Sequence, residues 1–133
     1  MAALNNRENA LLLVRHAVAL SRSRWLDDDA LRPLGERGRR QAEALVDQLG
    51  DFEMRRVLSS PALRCRQTVT PLAEARGLQV EIVDDLDEGT GLRGVSLVRE
   101  LGDGGVGGGG VVVLCSHGDL IPTVVESVGG PGI

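Results

Sequence analysis

Residues 10–17, ALLLVRHA, place an unbroken apolar run directly before an arginine and a histidine. A continuous run of this kind, without polar alternation, is typical of a buried strand in a parallel sheet. A matching stretch, VVVLCSHG at residues 111–118, ends in a serine and the second of the chain's two histidines. The sequence therefore predicts strands over 10–14 and 111–115, each followed by a histidine.

Strand-like and helix-like segments alternate around these two strands. The pattern predicts further strands over 56–59 and 79–83, helices over 35–49, 91–101 and 119–128, and a glycine-rich connector over 102–110. Another helix is expected to start with Ser60 as N-cap and Pro61 at the first position, and to end at Gly77. Pro71 lies inside that helix and should kink or split it.

Alternating strands and helices predict one α/β domain over residues 1–133, with residues 1–9 disordered. The expected architecture is a three-layer sandwich, in which helices flank a mainly parallel central sheet. In such sheets ligands bind beyond the carboxyl ends of the strands.

The composition excludes several classes of protein. All 15 basic residues are arginine, so the lysine of a P-loop or of a Schiff-base enzyme is missing. Aromatic residues make up 2% of the chain and the net charge is −4, which argues against a nucleic-acid partner. Two cysteines without a CxxC pair predict reduced, buried thiols that act as packing residues, and make a closed zinc site improbable.

The charge is divided unevenly along the chain. Residues 1–66 carry twelve arginines and nine acidic residues, whereas residues 67–133 carry three arginines and ten acidic residues. An anionic ligand is therefore expected on the first half. The acidic run Asp27–Asp29 is interpreted as a solvated loop, with repulsion of anionic ligands or pairing to Arg22 and Arg24 as the alternatives.

Arginines and histidines follow three of the predicted strands, and should converge on one rim of the sheet. They are Arg15 and His16, then Arg64 in the segment that starts with Ser59 and Ser60, then His117. Guanidinium groups match phosphate oxygens two at a time, and a neutral imidazole can attack phosphorus in line. The rim therefore favours a phosphoryl ligand.

Three segments in this order, LLLVRHA, SSPALRCRQT and VVLCSHGD, resemble the signature segments of the histidine phosphatase superfamily, the phosphoglycerate-mutase-like group. The resemblance covers residues 10–126 and implies that His16 is the phosphorylated nucleophile. It further implies phosphate binding by Arg15, Arg64 and His117, with His117 also catalytic as the second histidine of the pocket. Ser59 and Ser60 lie in the matching loop and are expected to bind phosphate as well. Glu88 lies near the usual place of the general acid, and the neighbouring Asp87 could substitute for it.

The sequence also departs from the commoner RHGxTxxN pattern of that superfamily. Ala17, Ala19 and Arg22 stand where glycine, threonine and asparagine would be, which disfavours a mutase or sugar phosphatase. The RHxxA segment, with Arg32-Pro33-Leu34 and Gly38, resembles SixA-type phosphohistidine phosphatases. The stretch RWLDDDALRPLGERGRRQAEALV is more similar still to the phosphatase domain that follows a Nudix domain in some actinobacterial proteins.

The leading hypothesis is a metal-independent phosphatase that works through a phosphohistidine intermediate on His16, without a cofactor. Its substrate is a phosphohistidine protein or, as the alternative, a small phosphomonoester or nucleotide. A non-catalytic phosphate-binding member is the rival from another class. The sequence predicts no membrane partner and a cytoplasmic location, and the chain ends earlier than many members of the superfamily.

Overall fold

The computed structural model describes residues 2–6, 9–50, 53–100 and 110–118. The strands are β1 (Ala2–Asn6), β2 (Asn9–Arg15), β3 (Met54–Ser59), β4 (Val80–Ile82) and β5 (Gly110–Ser116). The helices are α1 (Glu36–Gln48), α2 (Leu63–Ala75) and α3 (Leu92–Glu100). Short 3-10 helices span Asp29–Leu31 and Asp84–Leu86.

The strands form one sheet in the order β1-β2-β5-β3-β4. The pairs β2–β5, β5–β3 and β3–β4 are parallel, and only β1 runs antiparallel to its neighbour. Because β2, β5 and β3 lie side by side and point the same way, their carboxyl ends meet at one rim. Arg15 pairs with Ser116 in the β2–β5 register, and Ser59 pairs with Cys115 in the β3–β5 register.

Apolar side chains of the central strands alternate between the two faces of the sheet. Leu12 and Val14 of β2 pack in one cluster with the buried stripes of α1 and α2. Leu11 and Leu13 pack in a second cluster with Leu86 and with Val95 of α3. Helices therefore cover both faces, which confirms the predicted three-layer α/β architecture.

The amino terminus differs from the sequence expectation. Residues 1–9 were expected to be disordered, but Ala2–Asn6 form β1 and pair with β2. Without this pairing, the outer edge of β2 would present a row of unpaired backbone groups. The stretch AALNN at residues 2–6 carries no strand-like apolar pattern, so this pairing could not be predicted from the sequence.

The start of α2 is also different. Ser60 is not the N-cap: the helix begins at Leu63, with Ala62 in the capping position. The Ser60 hydroxyl accepts a hydrogen bond from the Ala62 N–H at 3.2 Å and contacts His117 at 2.8 Å. A long-range polar contact therefore delays the helix by two residues.

Pro71 lies inside α2, as predicted, but the helix is not split there. Proline removes one backbone donor, and the burial of Val69, Leu72 and Ala73 in the core outweighs that loss. The predicted helix over 119–128 and residues 102–109 of the connector lie outside the described residues, while Gly110 begins β5. Among the described residues, no helix has the length and apolar character needed to cross a membrane.

Candidate active site

Five of the predicted site residues meet at the carboxyl rim of β2, β3 and β5. Arg15 ends β2 and His16 follows it, while His117 directly follows β5. The rings of His16 and His117 are 5.6 Å apart between centroids, in an edge-to-face arrangement. Arg64, in the first turn of α2, and Glu88, in the loop after β4, contact each other at 3.1 Å. The topology thus brings together residues from four separate segments.

The His16 ring has a defined tautomer. Its Nδ1 lies 2.8 Å from the carbonyl oxygen of Ala17. Since a carbonyl only accepts hydrogen bonds, Nδ1 carries the proton and the lone pair of the neutral ring is on Nε2. Burial lowers the pKa of His16, and the nearby Arg64 and His117 add to that effect against the opposing contact with Ala17 and the Cys65 charge. The ring is therefore kept neutral and nucleophilic at Nε2.

The backbone beside His16 is held by α2. The Ala17 N–H donates to Thr68 Oγ1 at 2.9 Å, and this hydroxyl donates to the Arg64 carbonyl oxygen at 2.7 Å. Thr68 lies one turn after Arg64 on the same buried side of the helix. Thr68 was not among the predicted site residues, although its i, i+4 spacing from Arg64 places both residues on one side of a helix.

His117 is 1% exposed, and its two ring nitrogens face different groups. Nε2 lies 2.8 Å from Ser60 Oγ, 3.7 Å from Cys65 Sγ and 3.4 Å from Asp87 Oδ1. Nδ1 lies 3.2 Å from Glu88 Oε1 but makes no hydrogen bond of good geometry within the described structure. Glu88 and Asp87 therefore lie on opposite sides of the ring, and Glu88 shares its side with Arg64.

Burial on its own lowers the pKa of His117. The hydrogen bond with the Cys65 sulfur, the charge on that sulfur and the Glu88 carboxylate outweigh burial, so that the pKa is raised above its usual value. The pKa of Cys65 itself is lowered to about 5, first by a hydrogen bond with the Cys115 thiol and also by His117, although burial opposes the shift. Both cysteines are buried and free, as predicted, but Cys65 also touches the site.

The Arg64 side chain is 2% exposed, and its Nε has no hydrogen-bond partner among the described residues. Unpaired buried donors are costly, so this edge of the guanidinium suits an incoming acceptor. Arg15 is exposed, and its guanidinium lies against Gly118: a Cβ built at Gly118 would be 3.0 Å from Arg15 Cζ. Both predicted arginines thus border the space next to the two histidines.

The two serines make protein contacts through their hydroxyls. Ser59 Oγ donates to the Ser60 carbonyl oxygen at 2.8 Å, and Ser60 Oγ contacts His117 Nε2. Both residues are fully buried. Their position shapes the loop between β3 and α2, and it orients the His117 ring.

The acidic loop is not simply solvated. Asp29 pairs with Arg22 at 3.9 Å, as the alternative interpretation allowed, and also with Arg32 at 2.9 Å and Arg64 at 3.3 Å. The pairing with Arg64 was not predicted, because it joins residues that are far apart in sequence. Among the described residues, no cluster of three or more histidine, cysteine or acidic side chains could hold a metal ion.

The carboxyl rim of this α/β sheet joins two histidines to two arginines, a set of side chains whose chemistry suits a phosphoryl group. The family model of the histidine phosphatase superfamily (branch 1) matches residues 11–93. The chain belongs to this superfamily.

Relatives of known identity agree with this assignment. An 8-oxo-(d)GTP phosphatase of Mycolicibacterium smegmatis (strain ATCC 700084 / mc(2)155) is 37% identical over 116 residues, which are 87% of this chain and 36% of that protein. The chain therefore spans about a third of the length of this curated relative.

Solved structures show the same fold. A protein histidine phosphatase SixA complexed with tungstate superimposes with a TM-score of 0.70 at 26% identity, covering 87% of this chain and 74% of the other. A mycobacterial glucosyl-3-phosphoglycerate phosphatase complexed with VO3 gives a TM-score of 0.75 at 23% identity, covering 89% and 79%. Because the second structure is 23% identical in sequence, its similarity shows a shared fold and carries no information on function.

Proposed function

We propose that this chain hydrolyses a phosphorylated substrate, without a metal, through a phosphohistidine intermediate on His16. The observation that carries the proposal is the His16 ring, whose Nδ1 is held by the Ala17 carbonyl so that Nε2 keeps its lone pair. Around it, Arg64 Nε and His117 Nδ1 are buried donors without hydrogen-bond partners in the described structure. Phosphate oxygens would supply the missing acceptors.

In the proposed first step, His16 Nε2 attacks phosphorus in line while the bond from phosphorus to the leaving group breaks. Arg15, Arg64 and protonated His117 hold the three equatorial oxygens. In the second step, water attacks phosphorus, the P–Nε2 bond breaks and inorganic phosphate leaves. Ser59 and Ser60, whose hydroxyls bond to protein groups, are assigned a positioning role.

Glu88 is the proposed general acid. Its Oε1 lies on the Nδ1 side of His117 and contacts Arg64, whereas Asp87 contacts the Nε2 side. Glu88 would give its proton to the leaving group in the first step and take one from the attacking water in the second. Asp87 is less suited to this role, because it contacts Ser60 and His117 Nε2, whereas Glu88 is the carboxylate that contacts Arg64.

The substrate proposed first is phosphohistidine in a protein, supported by the resemblance to SixA structures above 25% identity. A nucleotide is the second candidate, and the specific support for it is the 37% identity to the 8-oxo-(d)GTP phosphatase. The predicted absence of nucleic-acid partners and the predicted cytoplasmic location remain predictions.

Turnover in excess EDTA tests the proposal. Wild type and His16→Ala are compared on a phosphohistidine peptide, p-nitrophenyl phosphate and a nucleoside triphosphate, with circular dichroism as the folding control. We expect wild-type activity to survive EDTA, and the variant to lose both turnover and an acid-labile phosphoryl label on the protein. Full activity in the variant, or loss of wild-type activity in EDTA, would contradict the proposal. Tight phosphate binding without turnover on any substrate would instead favour the non-catalytic alternative.

Glu88→Gln then distinguishes the substrate classes. An alkyl or nucleotide ester needs its leaving oxygen protonated, so kcat should fall about 100-fold or more on esters. A phosphohistidine leaving group is protonated more easily, so the rate of the first step, measured as the appearance of acid-labile label on the protein in a single turnover, should change little on that substrate. Asp87→Asn is the matched control: if it reduced ester hydrolysis as strongly as Glu88→Gln does, the assignment of the acid would be wrong.

A further inference from the structure

The guanidinium of Arg64 is held at one end by a single residue of a distant loop. Arg64 Nη1 donates to the Asp29 carbonyl oxygen at 2.8 Å, and Nη2 lies 3.3 Å from Asp29 Oδ2. Asp29 thus contacts both terminal nitrogens, once through its backbone and once through its carboxylate. The Nε atom is left without a partner in the described structure.

Asp29 is itself held in place. Its Oδ1 accepts a hydrogen bond from Arg32 Nε at 2.9 Å, and Arg32 Nη1 donates to the Leu20 carbonyl oxygen at 2.7 Å. Arg32 is 8% exposed, whereas the Asp29 side chain keeps 46% of its surface exposed. The hydrogen bond from Arg32, together with the charges of Arg64, Arg32 and Arg22, lowers the pKa of the Asp29 carboxyl despite some desolvation. The carboxylate is therefore charged at neutral pH.

We infer that Asp29 is a positioning residue that sets the orientation of Arg64 for phosphoryl binding. This inference rests on the proposed function. A guanidinium presents two useful edges, and bidentate binding of an anion needs one of them free. Asp29 occupies the edge formed by the terminal nitrogens, which leaves the edge formed by Nε and Nη2. On that edge Nη2 donates to Glu88 Oε1 at 3.1 Å, while Nε is without a partner in the described structure and is left for the ligand.

A purely electrostatic role for Asp29 predicts the opposite effect on ligand binding. A carboxylate close to an anion site repels the anion, so its removal should strengthen binding. If the Asp29 carboxylate instead holds Nη2 of Arg64 in the binding orientation, its removal leaves the guanidinium with only the Asp29 carbonyl oxygen and Glu88 as partners. The orientation of Nε and Nη2 must then be fixed when the ligand binds, which weakens binding. The sign of the change in affinity therefore separates the two roles.

The experiment measures the dissociation constant of orthovanadate by calorimetry, together with kcat and KM for the best substrate. Asp29→Ala is compared with Asp27→Ala, which removes the same charge from an exposed residue whose carboxylate contacts only the neighbouring Asp28 N–H in the described structure. We expect Asp29→Ala to weaken vanadate binding about tenfold, because a displaced Arg64 guanidinium no longer aims its two N–H donors at the anion. Asp27→Ala should stay within about twofold of wild type.

Asp29→Asn provides the conservative rescue. The amide oxygen can still accept a hydrogen bond from Arg32, so the affinity of this variant for vanadate should lie between those of wild type and Asp29→Ala. Tighter vanadate binding in either Asp29 variant, or an unchanged affinity in Asp29→Ala, would overturn the inference.

A second pair of variants tests the link through Arg32. Arg32→Met removes the group that holds Asp29, whereas Arg24→Met removes an exposed cation with no contact to Asp29. The first variant should weaken vanadate binding more than the second, and equal effects would contradict the link. Circular dichroism confirms folding of each variant.

Failure of the proposed function gives a different result from failure of this inference. A wild-type protein that neither binds vanadate nor turns over any substrate would count against the proposed function. A wild-type protein that binds vanadate, with the same affinity in Asp29→Ala, would count against the inference alone.

Discussion

The ring centroids of His16 and His117 are 5.6 Å apart, yet the surroundings of the two rings move their pKa values in opposite directions. Burial lowers the pKa of His16, while the Cys65 sulfur and Glu88 raise that of His117 above its usual value against burial. A neutral nucleophile and a charged phosphate donor can therefore coexist around pH 6.5, the usual value for histidine.

This arrangement predicts a bell-shaped pH dependence of kcat/KM. The acid limb reflects protonation of His16 and should lie below about pH 6.5, and the basic limb reflects loss of the His117 proton and should lie above it. Cys65→Ala removes groups that raise the pKa of His117, so the basic limb should move to lower pH. Activity profiles and NMR titration of the His117 ring measure both effects. A basic limb that does not move in the variant would show that the Cys65 sulfur has no influence on His117.

Part of this site was accessible from the sequence, and part was not. His16, Arg64 and His117 follow strands that the apolar pattern identifies, so their convergence could be predicted. The choice between Glu88 and Asp87 depends on the side of the His117 ring that each carboxylate faces. The sequence cannot show in which direction each of two adjacent carboxylates in a turn points.

At the scale of elements, α1 packs so closely against the loop after His16 that one glycine is required. A Cβ built at Gly38 would lie 2.0 Å from the Val18 carbonyl oxygen, much closer than atoms can approach. Gly38 is also buried in the helix, in the first half of α1. This contact fixes the distance between α1 and the segment that carries His16.

Gly38→Ala is therefore expected to destabilise the protein. Alanine favours a helix over glycine by about 1 kcal/mol, but the clash with a backbone atom should cost more, about 1–3 kcal/mol or above. The matched control is Gly35→Ala, because a Cβ at Gly35 would meet its nearest atom at 3.6 Å and its backbone is extended. Urea unfolding measures both free energies, and a Gly38→Ala protein as stable as wild type would contradict the close approach.

The boundaries of α1 and α2 differ in how well the local sequence predicts them. The apolar spacing of Ala42, Leu45 and Leu49 predicts α1 to within a residue or two at each end. The start of α2 was misplaced, because Ser60, which looks like a capping residue, orients His117 from across the sheet. A local propensity was overruled by a contact between residues 57 positions apart.

At the scale of the whole molecule, the site exists only in the folded state. Its groups come from the ends of β2 and β5, the start of α2 and the loop after β4. In the unfolded chain these four segments are separated, so a ligand that needs all of them binds the native protein alone.

A phosphate analogue should therefore raise the unfolding temperature. At about 100 times its dissociation constant, a ligand such as tungstate would add about 2.7 kcal/mol to the free energy of unfolding, enough to move Tm by several degrees. Differential scanning calorimetry measures the shift, and Arg64→Met, which loses the buried guanidinium, is the control in which it should largely disappear. An equal shift in that variant would place tungstate binding away from the rim.

The sequence alone was enough to predict the α/β class, the parallel strands and the rim on which the histidines lie. Continuous apolar runs indicate buried strands, and their alternation with helix-like segments indicates a parallel sheet. The sequence could not predict that β1 pairs with β2, since the pairing joins backbone groups and the stretch AALNN at residues 2–6 carries no strand-like apolar pattern. Nor could it place Asp29 on Arg64 or Cys65 beside His117. Those contacts join residues that are distant along the chain, and only the packing of helices on the sheet decides which polar groups lose water and pair with one another.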